Sequence, residues 1–530
     1  MNIHKFSHLV LFILLAVPLS TDAQSTPKSE PQIYANFITE EILKQHLRVL
    51  TADSLEGRET GTPGNDKAAR YIARQFANLK LDAIGDNQSY MQGIYMTSYK
   101  WDHIRLEFNG GDFRHLFDYI AIPSKNKDLK LNYNEIIYIG YGIDDSKYSD
   151  YKNVDVSGKV VLIYEGEPMH KDKYVITGSK TPSEWSAQDN ALKLKTAKEK
   201  GAAYVLIVKA GIQKMFETYR GAILGNEMVP TAVGNTVDSN IGHAYISTDI
   251  LKDILGSQSA NFIKQRNKAI KKAKPLSMSF KGEYRIDQKL SFKDVKSNNI
   301  LGYMRGSDPK LADEVLIITA HMDHLGKRGD YIYHGADDDG SGTTAVLSMA
   351  RAFTKAAEYG FRPKRSILFM LVTGEEKGLY GSKYYTTFPV LPLENTVADL
   401  NIDMIGRIDP KHIQSADSNY IYIIGSDRIS MELHELSESV NARFSNLTLD
   451  YTYNSPTDPN RFYYRSDHYN FAEKGIPIIF YFSGVHEDYH KPSDTIDKIH
   501  FNLLRKRAQL VFYTAWEIAN RPERLKIGTN

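Results

Sequence analysis

Apolar residues recur every three to four positions through "EEILKQHLRVLTADSLEGR" (40–58), which predicts an amphipathic helix. "TPGNDKAARYIARQFANL" predicts a second helix, opened by a Pro-Gly-Asn turn. After about Tyr99 the pattern changes. "NEIIYIGYG" and "GKVVLIYEGEP" are unbroken β-branched runs bounded by glycines, hence strands, and "AQDNALKLKTAKEKGAAYVLIVK" reads as a helix, a glycine stop and a buried strand. From "SNNILGYMRG" onward, strands ("EVLIITAH", "RSILFMLVTGEE", "VADLNIDMIGR", "YIYIIGS", "IPIIFYFSG") alternate with helices ("GTTAVLSMARAFTKA", "ISMELHELSESVNARF", "FNLLRKRAQLVFYTAWEIANR"). Such alternation predicts an α/β fold, a mostly parallel central sheet flanked by helices, with ligands bound at the carboxyl ends of the strands.

With 530 residues the chain exceeds one typical core. The pattern divides it into a first part (38–98), an inserted smaller β-rich α+β domain (99–288) and a second part (289–530). Ahead of these, Lys5, an apolar run from Leu9 to Leu19 and the small-residue pattern "TDA" form the layout of a secretory signal peptide cut after Ala23, followed by a polar leader over 24–37. The expectation is an exported protein, periplasmic or secreted, without stable membrane insertion. A formal net charge of +2, with Lys and Arg scattered, gives no footprint for nucleic acid. The chain has no cysteine, so disulfides, bacterial lipidation and thiolate metal sites are excluded.

Acids and histidines collect where strands end. "EVLIITAHMDHLG" leaves its strand into His321, Asp323 and His324; "RSILFMLVTGEEKGLYGS" ends in Glu375 and Glu376; "VADLNIDMIGR" ends near Asp403; "IPIIFYFSGVHEDYHKPSDT" leads to His486, Tyr489 and His490. Asp337, Asp338 and Asp339 stand in a row ahead of a helix. Each feature alone has an ordinary structural explanation, such as a turn, a helix-dipole charge or a capping aspartate. Together, on one rim of a parallel sheet, so many carboxylates require a cation. Ligands of nitrogen and oxygen without thiols suit zinc, and also manganese or cobalt. The contiguous acids lack the alternation of an EF-hand calcium loop. Of the adjacent glutamates, one can bind metal while the other takes a proton from water whose pKa the metal lowers, which implies hydrolysis of a polarised carbonyl.

"HMDHLG", "GADDDGSG", "TGEEKGLYGS", "NIDMIG" and "YHKPSDT" occur in the order found in the di-zinc aminopeptidases, metallopeptidase family twenty-eight, which this sequence resembles. "LEGRETGTPGN", by itself readable as a solvated turn, shares the resemblance, and the middle region resembles a protease-associated domain. The resemblance implies the zinc aminopeptidase (phosphorylase-like) fold, a peptide substrate and two zinc ions per chain. It implies that His321 and Asp403 bind one ion, Glu376 and His490 the other, and Asp338 both. Glu375 would be the general base, Tyr489 would stabilise the oxyanion, and Asp323 would orient His321 through its other ring nitrogen. Ser466, Asp467 and His468, in "RSDHYNF", would line the substrate pocket. His324, His334 and His486 receive no role. Related architectures keep three alternatives open: a carboxypeptidase or dipeptidase of the glutamate carboxypeptidase type, in which Arg465 could clamp a carboxylate; a glutaminyl cyclase; and a non-catalytic, transferrin-receptor-like binding module.

Overall fold

A computed structural model describes residues 30–122, 128–187, 190–212, 215, 227–231 and 241–528, so the expected signal peptide lies outside the described residues. Four strands run side by side and parallel, in the order Ser366–Val372, Val315–His321, Thr396–Ile402 and Ile478–Phe482. All their residues are buried, because both faces of the sheet are covered. Leu316, Ile318 and Ala320 pack with the helices Gly340–Glu358 and Phe501–Asn520 on one side, whereas Val315 and Ile317 pack with Tyr385 and Phe471 on the other. Side chains alternate along a strand, so burial on both faces demands the continuous apolar runs seen in the sequence.

Antiparallel pairing appears at the margins. Tyr420–Ile424 pairs antiparallel with Ile478–Phe482. On the opposite side, Ile300–Met304 pairs antiparallel with Ser366–Val372. That segment is the end of one strand of 27 residues, Met278–Met304, which also pairs along its length with Met91–Phe108. These two strands form a ribbon that joins the four-stranded core to the middle region, where Leu129–Tyr138, Val160–Tyr164, Tyr204–Val208 and His243–Ile246 continue the sheet over hydrophobic clusters of their own. The expected boundaries at 99 and 288 thus fall inside the ribbon. Part of the expected polar leader is structured: Pro31–Ala35 is a short helix, and Tyr34 stacks on Trp516 at 5.4 Å between ring centroids. Among the described residues, no helix is long and apolar enough to cross a membrane.

The "LEGRETGTPGN" loop is a strut rather than a solvated turn. Arg58 is 1% exposed, and its guanidinium donates to the carbonyls of Leu50, Met322, His334 and Gly335. Thr60 donates to the Asp323 carboxylate at 2.7 Å. The amino-terminal part of the chain therefore braces the loops that follow the His321 strand. Arg58→Met strips three buried acceptors and one half-buried one of their donor, and each buried acceptor left unsatisfied costs about 1–3 kcal/mol. The expected loss is at least about 3 kcal/mol in denaturant unfolding. An unchanged midpoint would show that these contacts are dispensable.

Candidate metal centre

The four parallel strands end on one rim. His321 is the last residue of its strand; Glu375 and Glu376 follow Ser366–Val372 after a turn; Asp403 directly follows Thr396–Ile402; and His490 lies on the loop after Ile478–Phe482. The three consecutive aspartates diverge. Asp337 accepts from the Gly406 amide (2.6 Å) and faces His486 Nε2 (3.2 Å). Asp339 caps the Gly340–Glu358 helix by accepting from Gly342 N, and also accepts from the amides of Met404 and His321. Asp338 alone turns its carboxylate to the rim. Its loop is held from behind by Asp494, which accepts from the amides of Asp337 and Asp338.

Around Asp338 the ligand-type atoms form two groups. Oδ1 lies 3.2 Å from His321 Nε2, which is itself 3.6 Å from Asp403 Oδ1. Oδ2 lies 3.2 Å from His490 Nε2, which is 3.3 Å from Glu376 Oε2. His321 Nε2 and Asp338 Oδ2 are buried yet make no hydrogen bond. A tetrahedral zinc with bonds of about 2.0–2.1 Å places its ligand atoms about 3.3–3.4 Å apart, which matches these separations. The residues fit metal ions at both places. The His321 tautomer is set by its Nδ1, which donates to the Asp323 carbonyl at 3.1 Å and so leaves Nε2 with a free lone pair. The contact expected of Asp323 is therefore made by its backbone. Its carboxylate stands 3.8 Å from Nδ1 and instead accepts from Thr60 and from the Glu375 amide.

The adjacent glutamates are driven apart. Burial raises Glu375 well above the ordinary carboxylate range, reinforced by the charges of Glu376, Asp403 and Asp467 and opposed by His321. Burial and Asp338 also push Glu376 upward, but the imidazoles of His324 and His490 outweigh them and bring it down to about 2. For Asp338, burial is likewise overcome by His324, His321 and His490, which hold it well below its usual value. Two carboxyls with separated proton affinities suit one proton carrier and one permanent anion.

A pocket opens beside these groups. Met404, Phe462, Phe480, Phe482 and Val485 form its apolar wall, and Glu375, Asp403, Tyr489, His490 and Arg465 its polar side. Tyr489 stacks on the His490 ring at 3.9 Å, and Arg465 Nη2 donates to its hydroxyl at 3.3 Å. Burial raises the phenol's pKa, so it remains a protonated donor. The "RSDHYNF" residues divide differently from expectation. Ser466 donates to Asp403 Oδ2 at 2.7 Å and so orients that rim carboxylate. Asp467 accepts from Ser382, and His468 stacks on Phe480 with Nε2 on the Tyr463 carbonyl; neither lines the pocket. Met404, Phe480 and Phe482 of the apolar wall were hidden in runs that read only as strand core, and Phe462 and Val485 in segments with no sequence signal. Of the histidines without an expected role, His334 pairs with Asp53, His486 with Asp337, and His324 stands against Glu376.

The family model "Peptidase family M28" matches residues 299–515, a span containing all these rim residues. Aminopeptidase YwaD of Bacillus subtilis (strain 168) is 26% identical over 247 residues, 44% of this chain and 48% of that protein. A probable zinc metalloprotease of Pyrenophora teres f. teres (strain 0-1) is 28% identical over 269 residues, 43% of this chain and 53% of the other. The matched segment thus spans about half the length of these curated relatives. Among solved structures, an aminopeptidase from Aneurinibacillus sp. strain AM-1 superposes with a TM-score of 0.56 at 21% identity, covering 94% of this chain and 98% of that one, a likeness of fold.

Proposed function

We propose, from the premise that residues 299–515 are those of a family M28 peptidase, that the chain is an exported two-zinc aminopeptidase removing residues from the amino ends of peptides. The observation that carries this reading is Asp338, whose two oxygens face different histidines across two sets of converging ligand atoms. His321, Asp403 and Asp338 would hold one ion, and Glu376, His490 and Asp338 the other. When bound, such ions supply Lewis-acid polarisation of the scissile carbonyl and acidify the attacking water. Glu375, at the pocket edge with its proton affinity raised, takes that water's proton and returns it to the leaving amine. The Tyr489 hydroxyl donates to the carbonyl oxygen as negative charge builds there. The apolar wall suits an apolar amino-terminal side chain. The middle region, by its resemblance to a protease-associated domain, would shape the entrance.

One observation favours a second reading. Arg465 is a cation on the pocket wall, in place to pair with a substrate carboxylate as a carboxypeptidase requires. A hydrolysis panel separates the two. Peptides with a free amino end are expected to be cleaved and to lose cleavage when N-acetylated, whereas amidation of the carboxyl end has little effect. Cleavage confined to N-blocked peptides with free carboxyl ends would overturn the aminopeptidase reading.

A further inference from the structure

His324 is fully buried, yet neither ring nitrogen has a hydrogen-bond partner among the described residues. Nδ1 lies 2.8 Å from Glu376 Oε1 in a geometry that makes no hydrogen bond, and that oxygen too is buried without a partner. Nδ1 is also 3.8 Å from Asp338 Oδ2, the oxygen that faces His490. His324 Nδ1, Asp338 and Glu376 converge closely enough to hold one ion. The ring is clamped in this direction. Gly335 has φ +56, and a Cβ there would stand 2.5 Å from His324 Cγ, so the imidazole lies directly over the glycine backbone. An unpaired buried nitrogen beside an unpaired buried carboxylate oxygen is costly unless something between them satisfies both.

We propose that His324 Nδ1 is a protein ligand of the second ion, so that this ion is held by His324, His490, Glu376 and Asp338. The assignment rests on the two-metal reading above. It makes the two places unequal. The second has two imidazoles and two carboxylates, enough to fill a tetrahedron, while the first has His321, Asp403 and Asp338 and keeps a position open for chemistry, as catalytic zinc sites do.

The test uses the full chain freed of metal by chelation, then titrated with cobalt(II) and with zinc(II) against a chromophoric chelator. Wild type is expected to take up two ions. His324→Ala is expected to weaken one of the two binding steps by about tenfold or more, at least the lower end of what losing even a supporting partner costs. Because the chain has no cysteine, His324→Cys places a single thiol where Nδ1 stood. With cobalt bound, that variant is expected to show an intense near-ultraviolet thiolate-to-cobalt band that a merely structural role could not produce. Thermal melting of the metal-free variants confirms that they are folded, and the cysteine variant preserves the test if the alanine one is not. A weakening below tenfold in folded His324→Ala, or a two-cobalt His324→Cys protein without the band, overturns the assignment. Wild-type chain that takes up no ion overturns both this assignment and the two-metal reading; two ions with His324→Ala unchanged overturns only His324.

Discussion

Glu375→Gln is expected to leave both metal ions bound while lowering kcat by about 10²–10⁴-fold, the range for loss of a positioned general base. Three observations place this effect on chemistry rather than on binding. Glu375 faces the pocket, its Oε2 is 4.0 Å from His321 Nε2, and its raised proton affinity comes from burial among other carboxylates. Its position does not depend on its charge, because its backbone amide is tied to Asp323. Glutamine keeps the shape and the anchor but cannot accept a proton. Metal content by mass spectrometry together with steady-state kinetics on a free-amino peptide checks this. A variant that keeps both ions and near-wild-type kcat would sink the assigned role. Loss of the ions would instead make Glu375 a ligand.

Asp338→Asn is expected to have the largest effect on metal binding, reducing uptake below one ion per chain, whereas Asp337→Asn retains most of it. The two residues are adjacent in sequence but not in function. Asp338 is the member shared by both groups of ligand atoms, and an amide there removes the negative charge that each ion would share. Asp337 meets a backbone amide and His486, and an asparagine can still accept the hydrogen bond from Gly406 N. Competition titration with a chromophoric chelator separates the two variants. Equal or reversed effects would mean that the bridging aspartate is misassigned.

Much of this was legible in the linear order of residues. Continuous apolar runs announced strands buried on both faces, and the alternation with helices announced parallel neighbours. Parallel neighbours in turn brought His321, Glu375, Glu376, Asp403 and His490 to one rim. Among the three aspartates, the motif resemblance singled out Asp338. Asp338 meets His321 and His490, Asp337 meets a backbone amide and His486, and Asp339 meets backbone amides.

Other features depend on contacts between residues far apart in the chain, which no local pattern encodes. The "LEGRETGTPGN" loop has the composition of a solvated turn, and only packing turns Arg58 inward onto carbonyls as distant as Gly335. Asp467 and His468 sit beside Ser466 in sequence, yet of the three only Ser466 meets the rim carboxylate Asp403. The ribbon of Met91–Phe108 and Met278–Met304 has no short-range signature, because each long strand is specified by the other. The adjacent glutamates look alike in the sequence. Their proton affinities separate only once burial, Asp403 and Asp467 surround one of them and two imidazoles the other. The sequence by itself determined which elements form and which chemistry lies at their ends, because periodicity and residue type act over a few neighbours. The tertiary structure decided which of those groups face one another, because charge, burial and coordination depend on distance in space.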